Sequence, residues 1–401
     1  MVAVKSKRRV FVTGMGVISP LGPDAREMLD ALRTGRDAVR EVTGFDVSRT
    51  RCKTAGQVPD EWLRDALPVS RKNVRLHRSA RMVTRALREA LNQAGGAQPE
   101  KLVVATSSGG MSNGEAYYRG LLKSGSRDGF ARYVANYTPQ KPVLDAMKAL
   151  GLRVPTQLIT NACSSGSNAI GHAFHQIRHG LHDCVVCGGY DPLAELVFVG
   201  FDSLQASTPE KIRPFDRDRT GLVLGEGAAL LVLESAESLD RRTVRPLAEV
   251  AGYGVSTDTF HLTQPNPSGR GTCLAMERAL LSGGIEPAAV DYINCHGTAT
   301  VFNDATEGAA ISAVFPPRVA VSSTKSMMGH ALGGAGAIEA VACVLSLQHQ
   351  FLPPNINFRT PDPSWTFEVV ANEARAARVA YTLSNSIGFG GVNASLLFRC
   401  L

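Results

Sequence analysis

Three features of the chain predict an α/β fold built from two similar halves. Apolar runs of strand length alternate with segments of helical spacing along all 401 residues. The succession of strand and small-residue turn seen in the first half returns in the second, as a duplicated unit would show. The length leaves room for two domains, or for one duplicated domain with a large core.

The elements follow in order. Val10 to Ile18 is an apolar run preceded by Lys5, Lys7, Arg8 and Arg9, which resembles the front of a secretory leader. Gly14 and Gly16 interrupt it and no small-residue cleavage site follows, so it reads as a buried first strand. Ala25 to Thr34 has helical spacing. Arg71 to Gln93 places Val83, Ala86, Leu87, Ala90 and Leu91 on one helix face, behind a basic front of Arg71, Lys72, Arg75, Arg78 and Arg81. Taken alone, that front reads as a solvated face. Leu102 to Thr106 is a strand running into Ser107-Ser108-Gly109-Gly110.

The segment from Thr156 to Gly180 is the one around which the rest is organised. A short strand, Gln157 to Thr160, turns at Asn161-Ala162-Cys163. From Ser167 on, Ala169, Ile170, Ala173, Phe174 and Ile177 recur at helical steps, and His179-Gly180 closes the helix. Cys163 therefore stands at a helix N-terminus, where unpaired amides and the helix dipole favour thiolate. Cys184 to Gly189 is the next strand. Its Cys184-Val-Val-Cys187 has dithiol spacing, but inside an apolar strand the pair reads as two buried small side chains.

The second half repeats the pattern beyond an irregular charged stretch, Ser238 to Arg245, which places a boundary between halves 1–245 and 246–401. Glu249-Val-Ala-Gly-Tyr-Gly-Val-Ser-Thr257 echoes Phe11 to Ser19. Val290 to Gly297 matches Lys101 to Gly109. Tyr381 to Gly391 echoes Gln157 to Gly166, with Asn385 opposite Asn161, so that the turns at Cys163 and Phe389 would face each other. Two histidines, His296 and His330, leave strand ends into glycine-flanked turns, where reactive groups are commonly displayed. The small residues after His330 lead into a helix from Ala337 to Leu347. With Cys163 the histidines make a candidate Cys-His-His site. The amides of Cys163 and Phe389 are a candidate oxyanion hole.

Composition excludes other classes. A net charge of +7 (43 basic minus 36 acidic) suits an acidic partner but not nucleic acid. No segment reaches the ~20 apolar residues of a membrane span. Eight dispersed cysteines predict reduced thiols and a cytoplasmic protein. His172, His175 and His179 share a helix face without a cysteine or carboxylate beside them, so no metal is expected.

Five motifs together resemble the elongating branch of the β-ketoacyl-acyl-carrier-protein synthases. They are Ala162-Cys163-Ser-Ser-Gly166, Arg213-Pro-Phe-Asp216 with Gly225-Glu-Gly227, His296-Gly-Thr-Ala-Thr300, Lys325-Ser-Met-Met-Gly-His330 and Asn385-Ser-Ile-Gly-Phe-Gly-Gly391. The resemblance spans nearly the whole chain. It implies a thiolase-like duplicated fold, layered αβαβα with two mixed sheets. It also implies a two-stage condensation without a cofactor. In that scheme Cys163 takes an acyl group from the phosphopantetheine arm of acyl-carrier protein. A malonyl thioester then loses carbon dioxide, and its enolate, stabilised by His296 and His330, attacks the acyl-cysteine. By the same resemblance Lys325 and Glu339 order the site, Phe389 gates it, and Thr298 and Thr300 hold the arm. Ser108 would lie beside the acyl tunnel, and Lys72, Arg75 and Arg213 would dock the acidic carrier. A homodimer, or a heterodimer with a homologous chain-length subunit, is implied as well. The initiating branch carries Cys-His-Asn, and silent chain-length partners lack the cysteine, so Cys163 places the chain among condensing subunits. Asn161, the run Ala299 to Phe302 and Ser108 depart from the usual pattern and leave fatty acid, polyketide and aryl-polyene substrates open.

Overall fold

The computed structural model describes residues 8–64, 76–125, 131–242 and 244–401. An eleven-stranded mixed sheet runs through it. In chain order its strands are β1 (Val10–Ile18), β2 (Lys101–Ala105), β3 (Thr156–Ile159), β4 (Cys184–Asp191), β5 (Gly227–Ser235), β6 (Ala248–Thr257), β7 (Tyr292–Asn294), β8 (Ala320–Ser322), β9 (Glu368–Val369), β10 (Tyr381–Gly388) and β11 (Val392–Arg399). Their spatial order is β9-β8-β7-β10-β11-β6-β1-β5-β4-β2-β3. The strands of the two halves thus form two mixed sets, β1 to β5 and β6 to β11. A short antiparallel pairing of β1 with β6, Val10 to Val250 through Val12 to Ala248, joins the sets into one.

Helices α1 (Arg78–Gln93) and α2 (Lys141–Leu150) cover the outer face of the first set. Helices α3 (Ser165–Arg178) and α6 (Ala335–His349) lie between the sets. Helices α4 (Arg270–Gly283) and α5 (Val301–Val314) cover the far side. This is the αβαβα layering. Position follows composition. In α1 the buried residues Ala80, Val83, Ala86, Leu87 and Ala90 keep to one face, as suits an outer helix. In α6 every residue from Ala335 to Leu347 is buried, as suits a helix apolar all round. The stretch Leu332–His349 is long and apolar enough to cross a membrane, yet 89% of it is buried inside the fold, where it acts as a core helix.

The glycine pairs of the two halves do the same work. A Cβ on Gly14 or Gly16 would stand 2.1 Å from the Ala90 carbonyl or 2.0 Å from that of Ala86, in α1. On Gly252 or Gly254 it would stand 2.2 Å from the Ala279 carbonyl or 2.0 Å from that of Ala275, in α4. Each pair lets an outer helix lie against the first strand of its half. The sheet order corrects one sequence echo. β10 occupies the place of β4 in the first half, and the counterpart of β3 is β8. The likeness of Tyr381–Gly391 to Gln157–Gly166 is one of residue types alone, since Asn161 stands at the elbow after β3 whereas Asn385 lies within β10, paired with Ser395. The consequence is that Cys163, after β3, and His330, after β8, are pseudo-equivalent, each at the entrance to a central helix.

Candidate active site

Strand β3 ends in an elbow. Ala162 takes φ +56°, in the left-handed region that costs a residue with a Cβ, and so turns Cys163 onto the start of α3. Three hydrogen bonds brace this strained turn. Ser164 Oγ donates to the Asn161 carbonyl at 3.0 Å, Ser165 Oγ donates to the Ala162 carbonyl at 2.6 Å, and the Asn161 amide donates to Ser165 Oγ at 2.8 Å. The central helices then touch through glycines. A Cβ on Gly166 would stand 2.8 Å from Ala337 N, and one on Gly336 would stand 2.3 Å from Ser167 Oγ. That close crossing brings the entrances of α3 and α6, and with them Cys163 and His330, to one place.

Cys163 is buried, 6% exposed, at the floor of a cavity of about 220 Å³. The sequence reading expects a thiolate here, and the structure corrects it. Burial pushes the thiol up to about 12, against the opposing pull of Lys325 and the hydrogen bond from the Phe389 amide. The resting group is a thiol. The amides of Phe389 and Cys163 face its sulfur. Cys184 and Cys187 sit in β4, buried, with their thiols raised further by desolvation. No disulfide joins any of the eight cysteines.

His296 and His330 line the same cavity, edge to face with ring centroids 5.2 Å apart. Burial, and after it the charge of Lys325, hold both well below the usual histidine range, so both rings are neutral. His330 has neither ring nitrogen paired, and His296 Nδ1 is likewise without a partner. The fold thus leaves these ring nitrogens available for a hydrogen bond. The backbone of His330 is held on both sides, its amide donating to the Val223 carbonyl at 2.8 Å and its carbonyl accepting from Gly225 at 2.9 Å. The Arg213–Gly227 motif is thereby a brace for His330. Lys325 and Glu339 form a fully buried ion pair behind the histidines. Burial raises Glu339 to about 7 although Lys325 draws it down.

Several supporting groups escape sequence reasoning. Glu307, on α5, accepts from the amides of His296 and Gly297, both at 2.8 Å, and from Asn385 Nδ2 at 3.2 Å. Asp304, one turn earlier, accepts from Phe215 at 2.7 Å and Ala299 at 3.1 Å. Asp191, at the end of β4, accepts from the amides of Ser107, Ser108 and Gly109 and of Gly333 just after His330. Each carboxylate replaces the missing partners of a tight turn. The signal in the sequence is the i, i+3 pair Asp304 and Glu307 following the His296 turn. Glu307→Ala would leave two buried amides unpaired, a loss on the order of 2–6 kcal/mol. A lowered urea midpoint with an unchanged slope is expected. An unmoved midpoint would mean that water satisfies the turn.

The other predicted residues divide. Phe389 lines the cavity and stacks on Phe201 with centroids 5.4 Å apart, on a turn whose Gly390 and Gly391 both need positive φ. Thr298 and Thr300 line the cavity and hydrogen-bond each other at 2.9 Å. Ser108 does not reach the cavity. Its hydroxyl donates to Asp191 at 2.8 Å. Arg213 is not a surface group. It is 8% exposed and donates to Glu210 and the Asp218 carbonyl. Lys72 and Arg75 lie outside the described residues.

The chain is similar to known proteins over nearly its whole length. The sequence matches the beta-ketoacyl synthase N-terminal domain over residues 7–238 and the beta-ketoacyl synthase C-terminal domain over residues 247–359. It is 37% identical to the 3-oxoacyl-(acyl-carrier-protein) synthase 2 of Synechocystis sp., with 98% of each chain covered. The ishigamide ketosynthase/chain length factor superposes with a TM-score of 0.92 at 35% identity, over 98% of this chain and 100% of that one. A type II polyketide synthase acyl-carrier protein in complex with its hexaketide-bound ketosynthase gives a TM-score of 0.87 at 27% identity, over 98% and 100%.

Proposed function

The chain belongs to the β-ketoacyl synthase family, and from that premise we propose that Cys163, His296 and His330 are its catalytic residues. The reaction is a condensing acyl transfer in fatty acid or polyketide chain elongation. The observation that carries the assignment of residues is a single cavity holding a cysteine at a helix entrance and two neutral histidines with unpaired ring nitrogens.

The first stage is a thiol–thioester exchange. Cys163 sulfur attacks the acyl carbonyl, whose oxygen becomes negative between the amides of Cys163 and Phe389. The carbon–sulfur bond to the phosphopantetheine arm breaks, and the departing sulfur takes up the proton that Cys163 gives up. In the second stage a malonyl thioester loses carbon dioxide. The electron pair of the broken bond passes into an enolate whose oxygen accepts from one N–H of each histidine. The enolate carbon then attacks the acyl carbonyl, the carbon–sulfur bond to Cys163 breaks, and the released thiolate takes up a proton from solvent, leaving a 3-oxoacyl chain on the carrier. Neutral histidines suit this task, because each offers a donor without repelling the other. Lys325 and Glu339 fix the electrostatic surroundings of the pair. Phe389, stacked on Phe201 at the cavity wall, serves as the gate, and Thr298 and Thr300 hold the arm. No cofactor is required.

The partners we propose are acyl-carrier protein and a second, homologous subunit. Among the described residues the outer edge of β3 is an unpaired sheet edge of half-buried residues, the kind of surface a second subunit can cover. A homologous chain-length subunit is supported by the likeness to the ishigamide ketosynthase/chain length factor. Native mass spectrometry of the pure protein with a panel of acyl-carriers reads both points. The expected result is a dimer whose chains gain the mass of one acyl group each. A monomer that loads would remove the homodimer, and a dimer that never gains an acyl mass would remove the assignment of Cys163.

A further inference from the structure

Two of the cavity walls come from distant parts of the chain. The first is a returning loop, residues 204–222, whose two arms are tied together. Leu222 N donates to the Ala206 carbonyl at 2.8 Å, and the hydroxyls of Thr208 and Thr220 lie 2.7 Å apart. Ala206, Thr220 and Leu222 line the cavity. The second wall is the turn that follows His296 and the start of α5, which bring Thr298, Thr300 and Val301 to the cavity. That turn is strained. Ala299 takes φ +64°, and its amide donates to Asp304 at 3.1 Å.

Arg219 joins the two walls. Thr220 and Thr300 line the cavity and Arg219 does not, so the arginine works from behind them. Its side chain is 7% exposed. Nη2 donates to the Val301 carbonyl at 3.0 Å and Nε to the Thr300 carbonyl at 3.4 Å, while Nη1 donates to the Asp216 carbonyl of its own loop at 3.1 Å. Asp304 and Asp362 balance the charge from 4.0 and 3.9 Å, and the guanidinium lies 5.3 Å from the centre of the Trp365 ring. A planar fork with donors on three nitrogens spans two consecutive carbonyls and a third on the other side. A lysine, whose donors all leave one atom, lacks that span.

We propose that Arg219 is a positioning residue for the phosphopantetheine arm, a clamp that fixes the spacing of the two walls and so holds Thr298 and Thr300 where the arm passes. The inference rests on the condensation reading, in which those two threonines hold the arm. A clamp of this kind contributes to binding throughout the reaction and not to one chemical step, because its contacts are with the backbone of the walls and not with Cys163 or the histidine rings. Its loss is therefore expected in KM and not in kcat.

The test uses the full-length protein and two thioester substrates, one on carrier protein and one on free pantetheine. Arg219→Lys is expected to raise KM about ten-fold for both, the scale of one charge-assisted hydrogen bond, with kcat within about two-fold of wild type. In the same variant iodoacetamide should alkylate Cys163 at the wild-type rate, since a small reagent needs no arm held in place. Trp365→Phe keeps a ring but weakens the rest for the guanidinium, and it provides the second variant if Arg219→Lys does not fold. It should raise KM about three-fold for both substrates. A fall in kcat at unchanged KM, in step with the folded fraction, would make the arginine purely structural and overturn the proposal. A rise in KM confined to the carrier-bound substrate would assign Arg219 to the carrier and overturn it as well. Failure of the premise reads differently, because a wild-type protein that neither substrate acylates would overturn the condensation reading and the clamp's role with it.

Discussion

Replacing Cys163 by alanine is expected to abolish acyl loading and with it condensation. Among the described residues Cys163 is the only cysteine that lines the cavity, and the serines beside it are spent on the elbow. The variant should fold, because a small apolar group replaces a side chain that is itself small and held in a turn made by others. Intact mass spectrometry after incubation with an acyl-carrier should therefore show no added acyl group. Alkylation separates reactivity from folding. Iodoacetamide should modify Cys163 well before Cys184 or Cys187, which are shut inside β4. Its rate carries information on the resting state. With the thiol pushed up to about 12 by burial, the thiolate fraction should grow about ten-fold for each unit of pH through the alkaline range. A rate already flat near neutrality would show that the helix entrance and the Phe389 amide outweigh burial after all. An acyl mass on the alanine variant would remove Cys163 from the mechanism.

The cysteine and the two histidines that share the cavity were legible because their setting shows in the chain itself. A cysteine between a strand and a helix, and histidines between glycines, are local patterns. What holds them was hidden because it comes from far along the sequence. Asp191 reaches from the end of β4 to two loops, one of them 142 residues away at Gly333. The strain at Ala162 leaves no mark in residue identity, since nothing distinguishes this alanine from any other. Arg213 was misread for a related reason. The resemblance put it on the carrier-docking face, but its guanidinium is buried and donates to Glu210 and the Asp218 carbonyl. The misplaced echo of β10 has a different origin. Asn161-Ala162 forms an elbow while Asn385-Ser386 runs extended inside β10, so similarity of residue type could not fix position in the sheet. The glycine pairs could, because each is needed by a particular helix. The pair Gly14 and Gly16 and the pair Gly252 and Gly254 therefore aligned correctly from sequence.

Removing either histidine should separate the two stages. His296→Ala and His330→Ala are each expected to retain acyl loading of Cys163, since the oxyanion of that stage lies between backbone amides. Each should lose condensation by ~100 to ~1,000-fold, the usual cost of deleting one preorganised donor to a developing oxyanion. The double variant should fall by less than the product of the two, because both donors act on one oxygen. Stability offers an independent reading. Both histidines are held well below the usual range, chiefly by burial, so the folded state stays neutral where the unfolded chain takes up a proton. A depressed histidine therefore costs stability as pH falls through the unfolded value of about 6.5, by up to about 1.4 kcal/mol per pH unit for each ring. Relative to His330→Ala, the wild-type protein should lose stability in urea between about pH 7 and about pH 5. A difference independent of pH would mean that the ring titrates normally and is open to water. In that case its two unpaired nitrogens would not be poised for substrate, and a condensation rate unchanged in the same variant would return His330 to a purely structural role.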